Sequence, residues 1–281
     1  MTGTQAADEP AIDARRGNFR LKHVAEQNIE RQASILDEMA AQPAVRTLKA
    51  WALAELAPAA GETAVDVGSG TGEDVVAFAE RVRPDGRAVG VEPSPGLRDE
   101  ALRRAAGAPV EYVDGRAEGL PFGDESVDVL RCERVLQHVD NPAAAVREMA
   151  RVLRPGGRIA LIDTDWATAI LHPADPDVLR RMVDYFLSGS ANPFSGRQLR
   201  GLLADAGLEI TGETAGTTIE PQEGARQGFV SMMRLSSAEA GVITPAEADA
   251  FAKGLAEAAD RGAFHLSLTM YAVSAVKPRA V

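Results

Sequence analysis

Short apolar runs alternate with amphipathic stretches through the middle of the chain, and the period of the pattern switches between the two. TAVDVG (63–68), RAVGVE (87–92), VEYVDG (110–115), SVDVLRCE (126–133) and RIALIDTD (158–165) are runs of six to eight residues rich in β-branched side chains, which predicts strands. EDVVAFAERV, residues 96–106 and a stretch from Pro142 to about 153 carry apolar positions at helical spacing. Asn141 is placed to cap the last of these helices, with Pro142 at its first position. PGG (155–157) reads as a turn. Strand and helix in strict succession predict a parallel sheet joined by crossover helices.

The flanks follow other rules. Residues 1–18 lack apolar periodicity and read as disordered. Residues 19–60 read as N-terminal helices broken at Pro43, the second carrying Leu48, Trp51, Leu53 and Leu56 on one broad face. Beyond the fifth strand, DVLRRMVDYFL reads as a helix, and Ser195 with Gln198 as a capping box for another that runs to Gly207. Residues 208–220 and 264–277 predict two further strands, for seven in all, and 222–262 two helices, the second opened by a capping box at Thr244 and Glu247. The expected organisation is an α/β core over 61–281, with helical cap insertions at 166–194 and 222–262.

The chemistry concentrates in VDVGSGTGED (65–74), where a buried strand runs into Gly68-Ser69-Gly70-Thr71-Gly72 and then a helix. Alternate glycines permit positive φ and let a ligand lie against bare backbone, while the helix N-terminus offers free N–H groups. A dinucleotide fingerprint requires glycine or alanine at the sixth position from Gly68, and this chain has Glu73 there. That acid repels a pyrophosphate, so a cofactor without phosphates fits better. Glu92 ends the next strand, 20 residues past Gly72, where a carboxylate can accept both hydroxyls of a ribose.

Composition narrows the partners. Of 281 residues, 45% are hydrophobic and 25% charged, as in a globular protein, and no apolar run reaches the length of a bilayer span. The net charge of −11 argues against broad nucleic-acid binding. Arg147, Arg151, Arg154 and Arg158 form the one cluster of basic residues weighed as a patch, and a solvated helix face is the simpler reading. Cys132 is the single cysteine, which excludes an internal disulfide or a cysteine-rich zinc site; with the polar N-terminus it points to the cytoplasm.

Taken together, residues 61–165, more than a third of the chain, resemble the class I S-adenosylmethionine-dependent methyltransferases. Within that family the resemblance is to the ubiquinone/menaquinone-biosynthesis and natural-product small-molecule enzymes. Asp66, Gly68, Gly70 and Gly72 match the acid-x-Gly-x-Gly-x-Gly motif and Glu92 the acidic strand end; LPFGDESVD (120–128) and EMARVLRPGGRIALID (148–163) match further segments. The resemblance implies a Rossmann-like, mostly parallel seven-stranded sheet with S-adenosyl-L-methionine as cofactor. It implies that Asp66, Gly68, Ser69 and Gly70 line the methionine moiety, that Glu92 holds the ribose, and that Gly115, Arg116 and Ala117 contact adenine. Arg116 stands where the family has an aspartate; it can stack on a purine but accepts no hydrogen bond, which leaves Asp114 as a substitute acceptor. Glu133 and Arg134 would pass close to the sulfonium, and Arg46 is the candidate partner for the methionine carboxylate.

No metal is required for such a transfer. His138 and Asp165 are the candidate bases, and Trp166 a candidate floor for the acceptor pocket. The expected partner is a small-molecule acceptor, with neither nucleic acid nor membrane, and the expected state is a monomer or homodimer. A non-methylating cyclase or regulator on the same fold is the alternative. An RNA or protein methyltransferase would need a basic, aromatic-rich recognition domain that the chain does not display, and a dehydrogenase fits the glycine spacing least.

Overall fold

The computed structural model describes residues 29–279. The expected disordered segment 1–18 and the first part of the 19–60 helical stretch lie outside these residues. Helices α1 (Ile29–Ala41) and α2 (Pro43–Leu56) break at Gln42, because Pro43 lacks the N–H needed to continue a helix and sits instead at the start of the next one. The core then alternates β1 (Thr63–Val67), α3 (Glu73–Val82), β2 (Arg87–Val91), α4 (Pro95–Ala105), β3 (Val110–Val113), β4 (Val127–Glu133) and α5 (Pro142–Val152). Asn141 caps α5 through Oδ1, which accepts from Ala144 N at 3.0 Å, as the sequence predicts.

The remaining elements are β5 (Leu153–His172), α6 (Pro176–Gly189), α7 (Ser195–Asp205), β6 (Glu209–Ile219), α8 (Gly228–Glu239), α9 (Pro245–Asp260) and β7 (His265–Val276). The seven strands order as β3-β2-β1-β4-β5-β7-β6, and β7 alone runs antiparallel to its neighbours. The order reverses between β1 and β4, which opens a crevice at the carboxyl ends of those strands.

Side chains alternate between the two faces of the sheet, and each face has its own core. Val65, Val89, Leu130 and Leu161 pack against Met149 of α5 and Leu199 and Leu203 of α7. Ala64, Ala88, Val129 and Ile162 pack on the other face against Leu48 and Leu56 of α2 and Phe78 of α3. The small residues on that second face let α2 and α3 lie close to the sheet. A third cluster joins α6, α8 and α9 around Met182, Phe186, Met233, Phe251 and Leu255 and rests on Phe264 and Leu266 at the start of β7.

Three local expectations change. The 166–194 segment is not helical throughout: residues 166–172 continue β5, with Ile170, Leu171 and His172 paired to Ser267, Leu266 and His265 of β7. β7 is long enough to offer backbone partners past the core, and Trp166, Thr168 and Ile170 suit a strand. The 155–157 turn is a bulge inside the same strand, with Gly156 at φ +83° donating its N–H to Lys277 O at 2.7 Å. Ser195 forms no capping box: Phe194 occupies the cap position, and Ser195 is buried as the first residue of α7. The Thr244–Glu247 box forms as expected.

Candidate active site

The loop between β1 and α3 is shaped by close approach on both sides. Gly68, Gly70 and Gly72 have φ of +73°, +52° and +84°, a region that side chains avoid. A Cβ at Gly68 would fall 2.2 Å from Val135 Cγ2, and one at Gly72 2.1 Å from Tyr112 Oη. Gly68 N and Ser69 N both donate to Val91 O, at 2.7 and 3.1 Å, and thereby fix the loop to the end of β2. Glu92 follows directly and is 7% exposed. Its carboxylate accepts from Gly70 N at 3.1 Å and Ser94 N at 2.9 Å, so the strand-end acid and the glycine loop form one unit. Burial pushes the Glu92 carboxyl above its ordinary pKa, against the pull of those two donors and of Arg98.

Below the loop lies a buried ionic network. Strand register sets Asp66 of β1 beside Arg131 of β4. Arg131 pairs with Asp74 at 2.5 Å and with Glu133, and lies 3.7 Å from Asp66. Lys49 of α2 reaches Asp74 at 2.8 Å and Glu73 at 2.6 Å, and Arg134 meets Glu133 at 2.9 Å. Asp66, Asp74 and Glu133, with the exposed Glu73 at the edge, thus face Arg131, Arg134 and Lys49. Burial raises the Asp66 pKa to about 7, whereas Arg131 and Lys49 outweigh burial at Asp74 and hold it low. Arg134 itself adopts φ +54°, which costs about 1–2 kcal/mol for a non-glycine residue. Its N–H donates to Ile162 O at 2.8 Å and its carbonyl accepts from Gln137 Nε2 at 3.3 Å.

The other end of the crevice is a cleft of about 680 Å³ lined by Pro93, Asp114, Gly115, Arg116, Glu118, Gly119 and Asp140. Arg116 is exposed at its rim and Ala117 is buried behind it. Asp114 pairs with Arg98 at 3.0 Å.

The catalytic candidates fare differently. Asp165 is buried, and both of its oxygens are engaged by Arg197, one at 2.8 Å, so its charge is spent on anchoring α7 and it is no free base. His138 sits on a 3₁₀ turn (Leu136–His138) with part of its side chain open to solvent, and the surrounding protein and the Arg134 charge lower its imidazole pKa. It is neutral at pH 7 and a weak base. Arg46 is exposed on α2 and makes no ion pair among the described residues; Lys49, one turn on, is the cation that reaches the acidic network. The arginines weighed as a basic patch are mostly consumed by acids: Arg151 by Asp124 and Glu148, Arg154 by Asp128, Arg158 by Glu62.

The sequence reading missed Lys49, Asp74 and Arg131, although an arginine inside the apolar run of β4 was a visible signal. It also assigned no role to Asp163, which accepts from Gln137 N at 3.0 Å and Thr164 N at 2.8 Å. Burial pushes Asp163 up to about 7 from an ordinary 3.8. Such a group takes up a proton on folding, so its contribution to stability is full below about pH 4 and lost as pH rises through about 7. The melting temperature should therefore fall between pH 5 and 8, and fall less steeply in Asp163→Asn. An unchanged slope in that variant would assign the titration to Asp66 or elsewhere.

Comparison with known proteins bears on the same residues. Residues 65–161 match a family described as methyltransferase domain. A demethylmenaquinone methyltransferase from Roseiflexus castenholzii is 40% identical over 118 residues, 41% of this chain and 49% of its own length. A Streptomyces fradiae transposon protein of no assigned activity is 37% identical over 189 residues, 66% of this chain and 55% of its own. A candidate methyltransferase of Bacillus halodurans C-125 superposes with a TM-score of 0.60 at 22% identity, over 82% of this chain and 98% of its own. Residues 65–161 thus carry a methyltransferase domain, in a fold similar to that of class I S-adenosylmethionine-dependent methyltransferases. The chain spans about half the length of the curated relatives it matches.

A methyltransferase domain of this kind implies S-adenosylmethionine as its cofactor. Two observations test whether these residues fit that group. The Ser69 hydroxyl in the glycine loop and Arg134 Nη1 at the end of β4 are buried with no hydrogen-bond partner among the described residues, polar atoms free to meet a bound group. The backbone of the loop is bare, with a carboxylate at its edge and a separate cleft beyond. No helix among the described residues is long and apolar enough to cross a membrane, and these residues contain no cluster of three or more potential metal ligands.

Proposed function

We propose that the methyltransferase core transfers a methyl group from S-adenosylmethionine to a small molecule held between the cofactor loop and the helical cap. The observation that carries this reading is the joint between Glu92 and Gly70, which ties a carboxylate at the end of β2 to the loop beside the strand-order reversal, where a ribose is to be held. When bound, the cofactor supplies an electrophilic methyl group on a sulfonium. In this reading Asp66, Gly68, Ser69 and Gly70 line its methionine, Arg134 donates to the carboxylate, Glu92 accepts from the ribose, and Gly115, Arg116 and Ala117 face the adenine.

The acceptor side is assigned to Trp166, which packs with Phe186 of α6 and Phe229 of α8 at ring distances of 5.2 and 5.0 Å. An aromatic wall where β5 passes beyond the central sheet favours an apolar or planar acceptor. With Asp165 occupied and His138 a weak base, the residues act mainly by alignment and by exclusion of water, so the acceptor nucleophile needs little help in losing a proton. A cytoplasmic location, without nucleic acid as a partner, fits the net charge of −11 and the single cysteine.

The test is binding of S-adenosylhomocysteine by calorimetry, followed by labelled methyl transfer to a panel of aromatic and quinone-like acceptors. Glu92→Ala should weaken S-adenosylhomocysteine binding by about 1–3 kcal/mol through loss of charge-assisted hydrogen bonds. Unchanged affinity would remove Glu92 from the ribose site.

A further inference from the structure

Gln137 lies between the two halves of the site and uses every polar group it has. It is 6% exposed, on the 3₁₀ turn that follows β4. Its backbone N–H donates to Asp163 Oδ2 at 3.0 Å, and its carbonyl accepts from Asn192 N at 3.2 Å. Its side-chain Nε2 donates to the carbonyl of Arg134 at 3.3 Å, and its Oε1 accepts from the indole Nε1 of Trp166 at 2.7 Å. One amide therefore touches the backbone of the residue beside the cofactor network and the ring that faces the cap.

Both ends of this link are held in place by other contacts. Arg134 adopts a left-handed backbone with its N–H bonded to Ile162 O and the Gln137 amide on its carbonyl. Trp166 is wedged between Phe186 and Phe229, which themselves meet at 5.1 Å, and its backbone N–H donates to Pro193 O at 2.9 Å. Asn192 ties the same stretch to the turn, its Nδ2 donating to Leu136 O at 2.9 Å and Val139 O at 2.6 Å. A shift of Trp166 draws on Gln137 Oε1, and a rigid amide passes that shift to Arg134 O. A buried amide that loses one partner leaves a polar group unpaired, so a move of Trp166 away from Gln137 Oε1 is costly unless the amide follows it.

We infer that Gln137 is a positioning residue that couples the aromatic wall of the acceptor side to the Arg134 backbone on the cofactor side. The inference rests on the methyltransferase reading above. Coupling between two sites is reciprocal, so occupation of the cofactor site must alter the surroundings of Trp166.

The chain has two tryptophans, and Trp51 lies on α2 away from this link, so Trp51→Phe leaves Trp166 as the sole reporter. In the full chain carrying Trp51→Phe, saturating S-adenosylhomocysteine should shift the Trp166 emission. Adding Gln137→Leu should abolish the shift while calorimetry still records S-adenosylhomocysteine bound, at an affinity lowered about fivefold. Trp166→Phe keeps the aromatic wall and removes only the indole donor; it should lower S-adenosylhomocysteine affinity to a similar degree, and it decides the matter if Gln137→Leu fails to fold. Binding without an emission shift, the same shift after Gln137→Leu, or full affinity in Trp166→Phe would overturn the coupling. Absence of S-adenosylhomocysteine binding in the unaltered chain is a separate result, and it would overturn the cofactor reading together with this one.

Discussion

Arg131→Met should lower the stability of the fold by about 3–5 kcal/mol, the usual effect of removing one partner from a buried ionic cluster. Arg131 is 3% exposed and stands among Asp66, Asp74 and Glu133, so its loss leaves three buried acids against Lys49 and Arg134. Asp66, already raised by burial, and Asp74, held low by Arg131 and Lys49, would both lose an opposing charge, so the folded-state pKa of each should rise. A raised folded-state pKa stabilises at low pH and loses that contribution as pH rises. The deficit of the variant should therefore be larger at pH 8 than at pH 5.5. Denaturant unfolding at the two pH values measures this, and an equal deficit at both would show that the arginine serves as packing rather than as charge.

Gly68→Ala combines two penalties at one atom. A left-handed alanine costs about 1–2 kcal/mol and overpacking typically about 1–3, together about 2–5 kcal/mol. The collision is with Val135 Cγ2, a branched side chain on the turn after β4, so relief requires the same turn that carries Gln137 and His138 to move. The added methyl also stands where the cofactor is to lie against backbone. Affinity for S-adenosylhomocysteine should fall by more than tenfold, an amount set by loss of close approach rather than by lost hydrogen bonds. The double variant Gly68→Ala/Val135→Ala separates the two effects: it should recover much of the stability and little of the affinity.

Much of the core was legible because its signals are local. The strand ending in Gly68, the Asn141-Pro142 helix start and the Thr244–Glu247 box each depend on residues within a few positions of one another. The errors came where the deciding partner is distant in sequence. Residues 166–172 become strand because β7, about a hundred residues later, offers them a backbone partner. Asp165 looks like a strand-end base until Arg197 closes on it. The buried network was invisible for the same reason, since only the register of β1 against β4 brings Asp66 beside Arg131. Arg46 stays exposed while Lys49, one helical turn on, is drawn into the acidic network, a difference that a charge count on α2 cannot resolve.

The long pairing of β5 with β7 also bears on how the upper half of the molecule can move. Those strands leave the central sheet and, past a bulge between Asp165 and Ile170, pair again beneath α6, α8 and α9, where Leu266 and Phe264 support the helical layer. The roof over the site is thus half scaffold and half shutter: its strand portion belongs to the same ladder as the floor and stays put, and only the helices can swing. A guest would be admitted by peeling back helices from a fixed ledge rather than by two lobes parting.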